Sequence, residues 1–250
     1  NVAVGHSAML TGSTAAYNVA VGLDSLKLQT TGNNNVAVGA YTLQTSTTGA
    51  SNTAVGTEAL LDNTTGNNNT AIGYSALANN TTADDNIAIG LNAMLANTTG
   101  TRNIAIGNLA YDASDTENDN IAIGHTAMSL DTAGGTRNIA IGNYSLDAVT
   151  SGDSNIAIGH EAGSAVTTAS NSISIGHNAG ASLVSGSHNI FIGASSGSSD
   201  IGTSNGIKNV CIGIETDTSG TGSVAQMVMG YNVTGNADNS FCFVASFFYS

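Results

Sequence analysis

The pentapeptide Asn-x-Ala-x-Gly, with Val, Ile or Thr at the first x and Val or Ile at the second, recurs along the whole chain, and its period leaves few folds open. Its glycine stands at Gly5, Gly22, Gly39, Gly56, Gly73, Gly90, Gly107, Gly124, Gly142, Gly159, Gly176, Gly193, Gly213 and Gly230. The first seven steps are 17 residues each, and the rest are 18, 17, 17, 17, 20 and 17; a degenerate copy from Ser240 to Val244 follows after 14. A unit this short cannot bury a core of its own. It fits one coil of a solenoid, in which each turn covers its neighbour and like residues stack in columns. Helix is excluded, because β-branched residues and a glycine return in every unit and no 3.6-residue period appears. The expectation is an all-β parallel β-solenoid, or β-roll, of about 15 coils. Regular repeats occupy residues 1–193, looser repeats 194–239, and a terminal aromatic cap or the start of a following domain 240–250.

Two columns are legible at once. One is asparagine: Asn35, Asn52, Asn69, Asn86, Asn103 and Asn120, among others, form a structural ladder whose amides can bond from coil to coil. The other lies four residues after the glycine and holds Met9, Leu26, Leu43, Leu60, Leu77, Met94, Tyr111, Met128 and Leu146. That position then becomes Gly163, Gly180 and Gly197, which predicts a change of cross-section there.

Alternation along a strand puts the two β-branched residues of each motif on one face and the central residue on the other. The central residue is alanine through most of the chain and is nowhere charged. Both faces therefore read as buried, one in the solenoid's core and one against another surface. Sequence alone does not assign the two. A column of small residues suits close approach of another chain, so Ala37, Ala54, Ala71, Ala88, Ala105, Ala122, Ala140 and Ala157 are the interface candidates.

Composition narrows the partners. The 17 acids against 4 bases give a net charge of −13, which disfavours nucleic acid and anionic lipid. No run of about 18 apolar residues is present, so direct membrane insertion as a helix is not expected. The chain opens at Asn1 directly on a repeat motif, as a fragment or processed product would.

The Asn-Ile-Ala-Ile-Gly cores, each followed three residues on by a small residue (Ala59, Ala76, Ala93, Ala110, Ala127), resemble the head repeats of trimeric autotransporter adhesins, the YadA-like heads. They also resemble repeat regions of phage tail fibres. The resemblance covers about residues 1–244. It implies a left-handed β-roll, a homotrimer, and extracellular adhesion to host or matrix surfaces from a bacterial cell surface or a virion fibre. The 17-residue step exceeds that usual in those heads, and the family's coiled-coil stalk and membrane anchor are not in this sequence.

The remaining motifs have simpler readings. Thr-Thr-Gly segments such as Thr30-Thr31-Gly32 and Thr64-Thr65-Gly66 are polar turns in which one threonine of each pair faces outward; an ice-binding solenoid is the competing function. His160 and His177 fall in adjacent coils and should stack about 5 Å apart. Neither they nor the acids around Asp112, Asp115, Glu117 and Asp119 have metal-ligand spacing. Asn63, Asn97 and Asn232 begin glycosylation sequons, expected by chance in so asparagine-rich a chain. Cys211 and Cys242 share the central column two coils apart, beyond disulfide reach. Phe241, Phe243, Phe247 and Phe248 are the cap candidates. No catalytic constellation stands apart from the repeat, so no enzyme activity, cofactor or metal is expected. The sequence thus points to a fibre segment that mediates attachment, by binding a cell-surface glycan or a matrix protein. A structural spacer with recognition elsewhere is the alternative.

Overall fold

A computed structural model describes residues 1–11, 14–130, 134–199 and 205–243. Each motif forms a strand of three residues, and in most of them β-branched residues flank a small central one and the motif glycine ends the extended run. The chain divides into two compact units, Asn1–Thr132 and Ala133–Ser250. The first holds β1 (Val2–Val4), β2 (Val19–Val21), β3 (Val36–Val38), β4 (Thr53–Val55), β5 (Thr70–Ile72), β6 (Ile87–Ile89), β7 (Ile104–Ile106) and β8 (Ile121–Ile123). The second holds β9 (Ile139–Ile141), β10 (Ile156–Ile158), β11 (Ile173–Ile175), β12 (Ile190–Ile192), β13 (Val210–Ile212), β14 (Met227–Met229) and β15 (Phe241–Phe243). Within each unit successive strands pair in parallel, residue on equivalent residue, as Ala71 on Ala88 and Ala157 on Ser174 do. The architecture is the all-β parallel solenoid that the 17-residue period predicts. Among the described residues there is no helix.

Strands cover only three residues of each coil, so the turns need partners of their own. They find them in the same places one coil away. In the first unit the N–H of Leu77 donates to the carbonyl of Ala93, that of Thr81 to Thr98, and that of Asp85 to Asn67. These turns bend through the left-handed region at three fixed places per coil, for example at Ser75, Leu77 and Asp85 with φ of 50°, 51° and 62°. Such residues cost on the order of 1 kcal/mol each. Full burial of the leucine and its inter-coil hydrogen bond offset that cost at Leu77. In the second unit Gly163, Gly180 and Gly197 take the same conformation without strain, with φ of 61°, 62° and 63°.

The interior is narrow. The central alanines Ala20, Ala37, Ala54, Ala71, Ala88, Ala105 and Ala122 are fully buried in the first unit, packed with the leucine and methionine column. The cross-section changes where that column becomes glycine. A Cβ on Gly197 would stand 2.3 Å from Cδ1 of Phe191, and one on Gly180 would stand 3.0 Å from Cδ2 of the same ring. Phe191, in the central position of β12 and fully buried, thus takes the volume that leucine takes elsewhere.

The motif glycine is fixed by two constraints at once. Gly73 has φ of 139°, and a Cβ there would lie 2.3 Å from the carbonyl oxygen of Gly90 in the next coil. Gly73→Ala should lower stability by roughly 3 kcal/mol through backbone strain and this clash. Gly220→Ala, where nothing lies within 4 Å, should change it by less than about 0.5 kcal/mol. Urea unfolding of the two variants checks the contrast.

Candidate interaction surfaces

Burial assigns the two strand faces, and it reverses the interface reading of the alanines. Ala37, Ala54, Ala71, Ala88, Ala105, Ala122, Ala140 and Ala157 are all 0% exposed within the single chain. They line the solenoid's own interior and are not available to a partner. The physical reason is the size of the coil: its opposite wall comes close enough that only a methyl group fits beside the leucine column. Lysine at Ala105 would bury an unpaired charge and unfold the coil, whatever the oligomeric state.

The outward face is therefore the β-branched one. In the first unit its columns run from Val19 and Val21 through Ile87, Ile89, Ile104 and Ile106 to Ile121 and Ile123. In the second they run from Ile139 and Ile141 to Met227 and Met229. Residues at the second position, such as Ile72 and Ile106 at 39% and 37% exposure, stand open to solvent although none of their column neighbours is charged. Phe241 and Phe243 continue this face in β15, stacked with ring centroids 6.4 Å apart and both exposed. They do not plug the coil's interior, because the residue that points inward there is Cys242. Phe247 and Phe248 lie outside the described residues.

The asparagine ladder is present, with a bond pattern that differs from simple amide stacking. Asn35, Asn52, Asn69, Asn86, Asn103 and Asn120 are all fully buried. From Asn35 to Asn103 the Oδ1 of each accepts from the backbone N–H of the next, as Asn69 does from Asn86 at 3.0 Å and Asn86 from Asn103 at 2.9 Å. The amide nitrogen donates to a turn carbonyl, as Asn86 does to Gly100 at 2.8 Å. Amide-to-amide bonds appear beside this pattern, between Asn52 and Asn35 and between Asn155 and Asn138. The backbone takes precedence because its N–H would otherwise be buried without a partner. Tyr111, in the leucine column and fully buried, is accommodated by accepting a hydrogen bond at its hydroxyl from Asn120.

A second ladder was not read from the sequence. Asn63, Asn80 and Asn97 are fully buried and joined amide to amide, at 2.7 Å and 3.1 Å, and each also donates to the carbonyl three residues on. The signal was the recurrence of Asn-Thr-Thr at the coil period. Burial also removes Asn63 and Asn97 as glycosylation acceptors in the folded chain; Asn232 is exposed. The threonines divide as expected. Thr30, Thr47, Thr64, Thr81 and Thr98 donate their hydroxyls to the next coil's backbone, and Thr31, Thr48, Thr65, Thr82 and Thr99 form one exposed file.

His160 and His177 stack with centroids 5.4 Å apart and an interplanar angle of 12°, and Tyr144 meets His160 edge-on at 5.8 Å. Among the described residues no group of three or more His, Cys, Asp or Glu side chains could hold a metal ion. Glu117 is buried and accepts from Ser114, Asp115 and Thr116. Cys211 is buried, which pushes its thiol up to about 12 and leaves it unreactive. Among the described residues no helix is long and apolar enough to cross a membrane. No protein-family model matches the chain, and no curated protein matches it either.

Burial raises the carboxyls of Asp112 and Asp147 above the usual range, each with one oxygen buried and unpartnered; the charge of Glu161 adds to the effect at Asp147. Burial raises Asp217 likewise. A carboxyl whose folded pKa lies above its unfolded value, near 3.9, destabilises the fold when ionised. That penalty is complete above the folded pKa and lifts as pH falls through it. Asp24 works in the opposite sense through its hydrogen bond from Lys27, but at the surface, where screening weakens it. The melting temperature should therefore rise as pH falls from neutral toward the usual carboxylate range. Asp112→Asn with Asp147→Asn should raise it at pH 7 and flatten the dependence. Melts across that range check this, and a midpoint that falls on acidification would contradict it.

Proposed function

We infer that the chain is a non-enzymatic extracellular fibre segment that acts as a homotrimer and supports attachment to a surface. The observation that carries this reading is the open β-branched face, two side chains wide and free of charge at every strand of both units. Soluble chains rarely leave so long an apolar stripe in water. A face this narrow meets its equals about a threefold axis more readily than it covers a broad flat partner. The number three, and a left-handed course for the coil, come from the likeness of the Asn-Ile-Ala-Ile-Gly cores to trimeric adhesin heads and tail-fibre repeats. Three chains in parallel repeat every outward group three times, so shallow contacts sum to avidity without a deep pocket. A cell-surface glycan or a matrix protein is the partner class that fits an acidic, polar exterior, and a bacterial surface or a virion fibre is the setting.

Light scattering tests the association. The unsubstituted chain should show three times the 24.8 kDa mass of one copy. Ile72→Lys with Ile106→Lys should reduce the mass to a single copy while the circular dichroism of the coils persists. A single-copy mass for the unsubstituted chain would overturn the reading. Binding of the segment to cells then separates attachment from a spacer role, which predicts none.

A further inference from the structure

In the second unit the outward columns after the motif glycine bring four functional side chains together. Tyr144 and Glu161 occupy one column, two residues after Gly142 and Gly159, and Asp147 and Ser164 occupy another, three residues further on. With Ala165 they line an open cleft of about 310 Å³. The column of Asp147 and Ser164 carries Lys27, Gln44, Leu61 and Leu95 in four coils of the first unit and Ala78, Asp112 and Ser129 in three others. There the pair Tyr41 and Glu58 repeats the Tyr144 and Glu161 arrangement, with Gln44 and Leu61 where the cleft has Asp147 and Ser164. Beside the cleft, the rings of Tyr144, His160 and His177 make a continuous exposed strip.

The lining selects a ligand by chemistry. Two carboxylates in a chain of net charge −13 repel anions. A hard cation seeks six to eight oxygens, and the side chains here bring two carboxylates, one hydroxyl and one phenol. A neutral sugar ring matches every group. Its C–H face would lie against the Tyr144 ring and the Ala165 methyl, and its hydroxyls would donate to Glu161 and to the accessible oxygen of Asp147 in charge-assisted hydrogen bonds. Ser164 both donates and accepts. The volume sits at the low end of the range for small-molecule sites, roughly 300–1,000 Å³, and suits one ring.

We propose that the cleft lined by Tyr144, Asp147, Glu161, Ser164 and Ala165 is a subsite for one neutral pyranose ring of a surface glycan. The proposal deepens the attachment reading and rests on it for the source of the glycan. Saturation-transfer difference NMR with the methyl glycosides of glucose, galactose and mannose tests it on the full chain. At least one should show transfer to its ring C–H protons. Tyr144→Ala should abolish the transfer, and Glu161→Gln should weaken binding roughly tenfold, the worth of one charge-assisted bond. Tyr41→Ala, at the equivalent site flanked by Gln44 and Leu61, should leave it unchanged. Melting curves and scattering mass are recorded on each variant, so a failed fold or a failed trimer is distinguished from a failed subsite. No transfer from any of the three sugars overturns the proposal, as does transfer that survives Tyr144→Ala in a folded protein.

Discussion

Every part of this protein depends on equivalent residues meeting one coil apart. A coil of 17 residues encloses too little to hide its own polar backbone, and three strand residues satisfy only a fraction of it. The turn N–H and carbonyl groups are paired by the next coil, and where the backbone cannot reach, the asparagine side chain does. Such a lattice tolerates added residues only where they leave the register alone. The 20-residue step between Gly193 and Gly213 meets that condition: Ile190 still pairs with Val210, Phe191 with Cys211 and Ile192 with Ile212. Glycine at the motif's end belongs to the same constraint, because successive backbones approach there more closely than any Cβ permits.

The period, the strand positions and the first asparagine ladder were legible because each is a property of one residue repeated. The assignment of the faces was not, because it depends on volume. A three-residue strand with alanine between two β-branched residues has no polar side to mark the solvent, so alternation alone leaves the choice open. The deciding signal lay in two columns read together. Where the leucine column becomes Gly163, Gly180 and Gly197, the central column, alanine until then, admits Phe191. Bulk lost from one column and gained in the other means that both fill one space, and that space is the core. A partner chain would have no reason to compensate for a leucine on the far wall. The second ladder was missed for a different reason. Asn63, Asn80 and Asn97 precede threonines, and a local glycosylation motif concealed a long-range stack.

The constraint also separates structure from function by column. Inward positions vary little, because a change in one coil must be answered in the next, as at Phe191. Outward positions after the glycine are free of that demand and carry Tyr, Glu, His, Asp, Leu and Thr in no fixed order. A site on such a scaffold is a local coincidence of outward residues, held in place by a frame that neither knows nor requires it.

That is why the same Tyr and Glu pair has different surroundings in its two occurrences. At Tyr41 and Glu58 the neighbouring column brings Gln44 and Leu61, and Glu58 accepts a hydrogen bond from Ser75 in the next coil. At Tyr144 and Glu161 the neighbouring column is short, and Asp147 holds its buried oxygen unpartnered at the raised pKa that burial imposes. Asp112, at the same column position in the first unit, carries the same penalty, with an oxygen equally buried and unpartnered. The raised carboxyl is therefore a property of the column position, and what distinguishes the cleft is the company of Tyr144, Glu161 and Ser164 around Asp147.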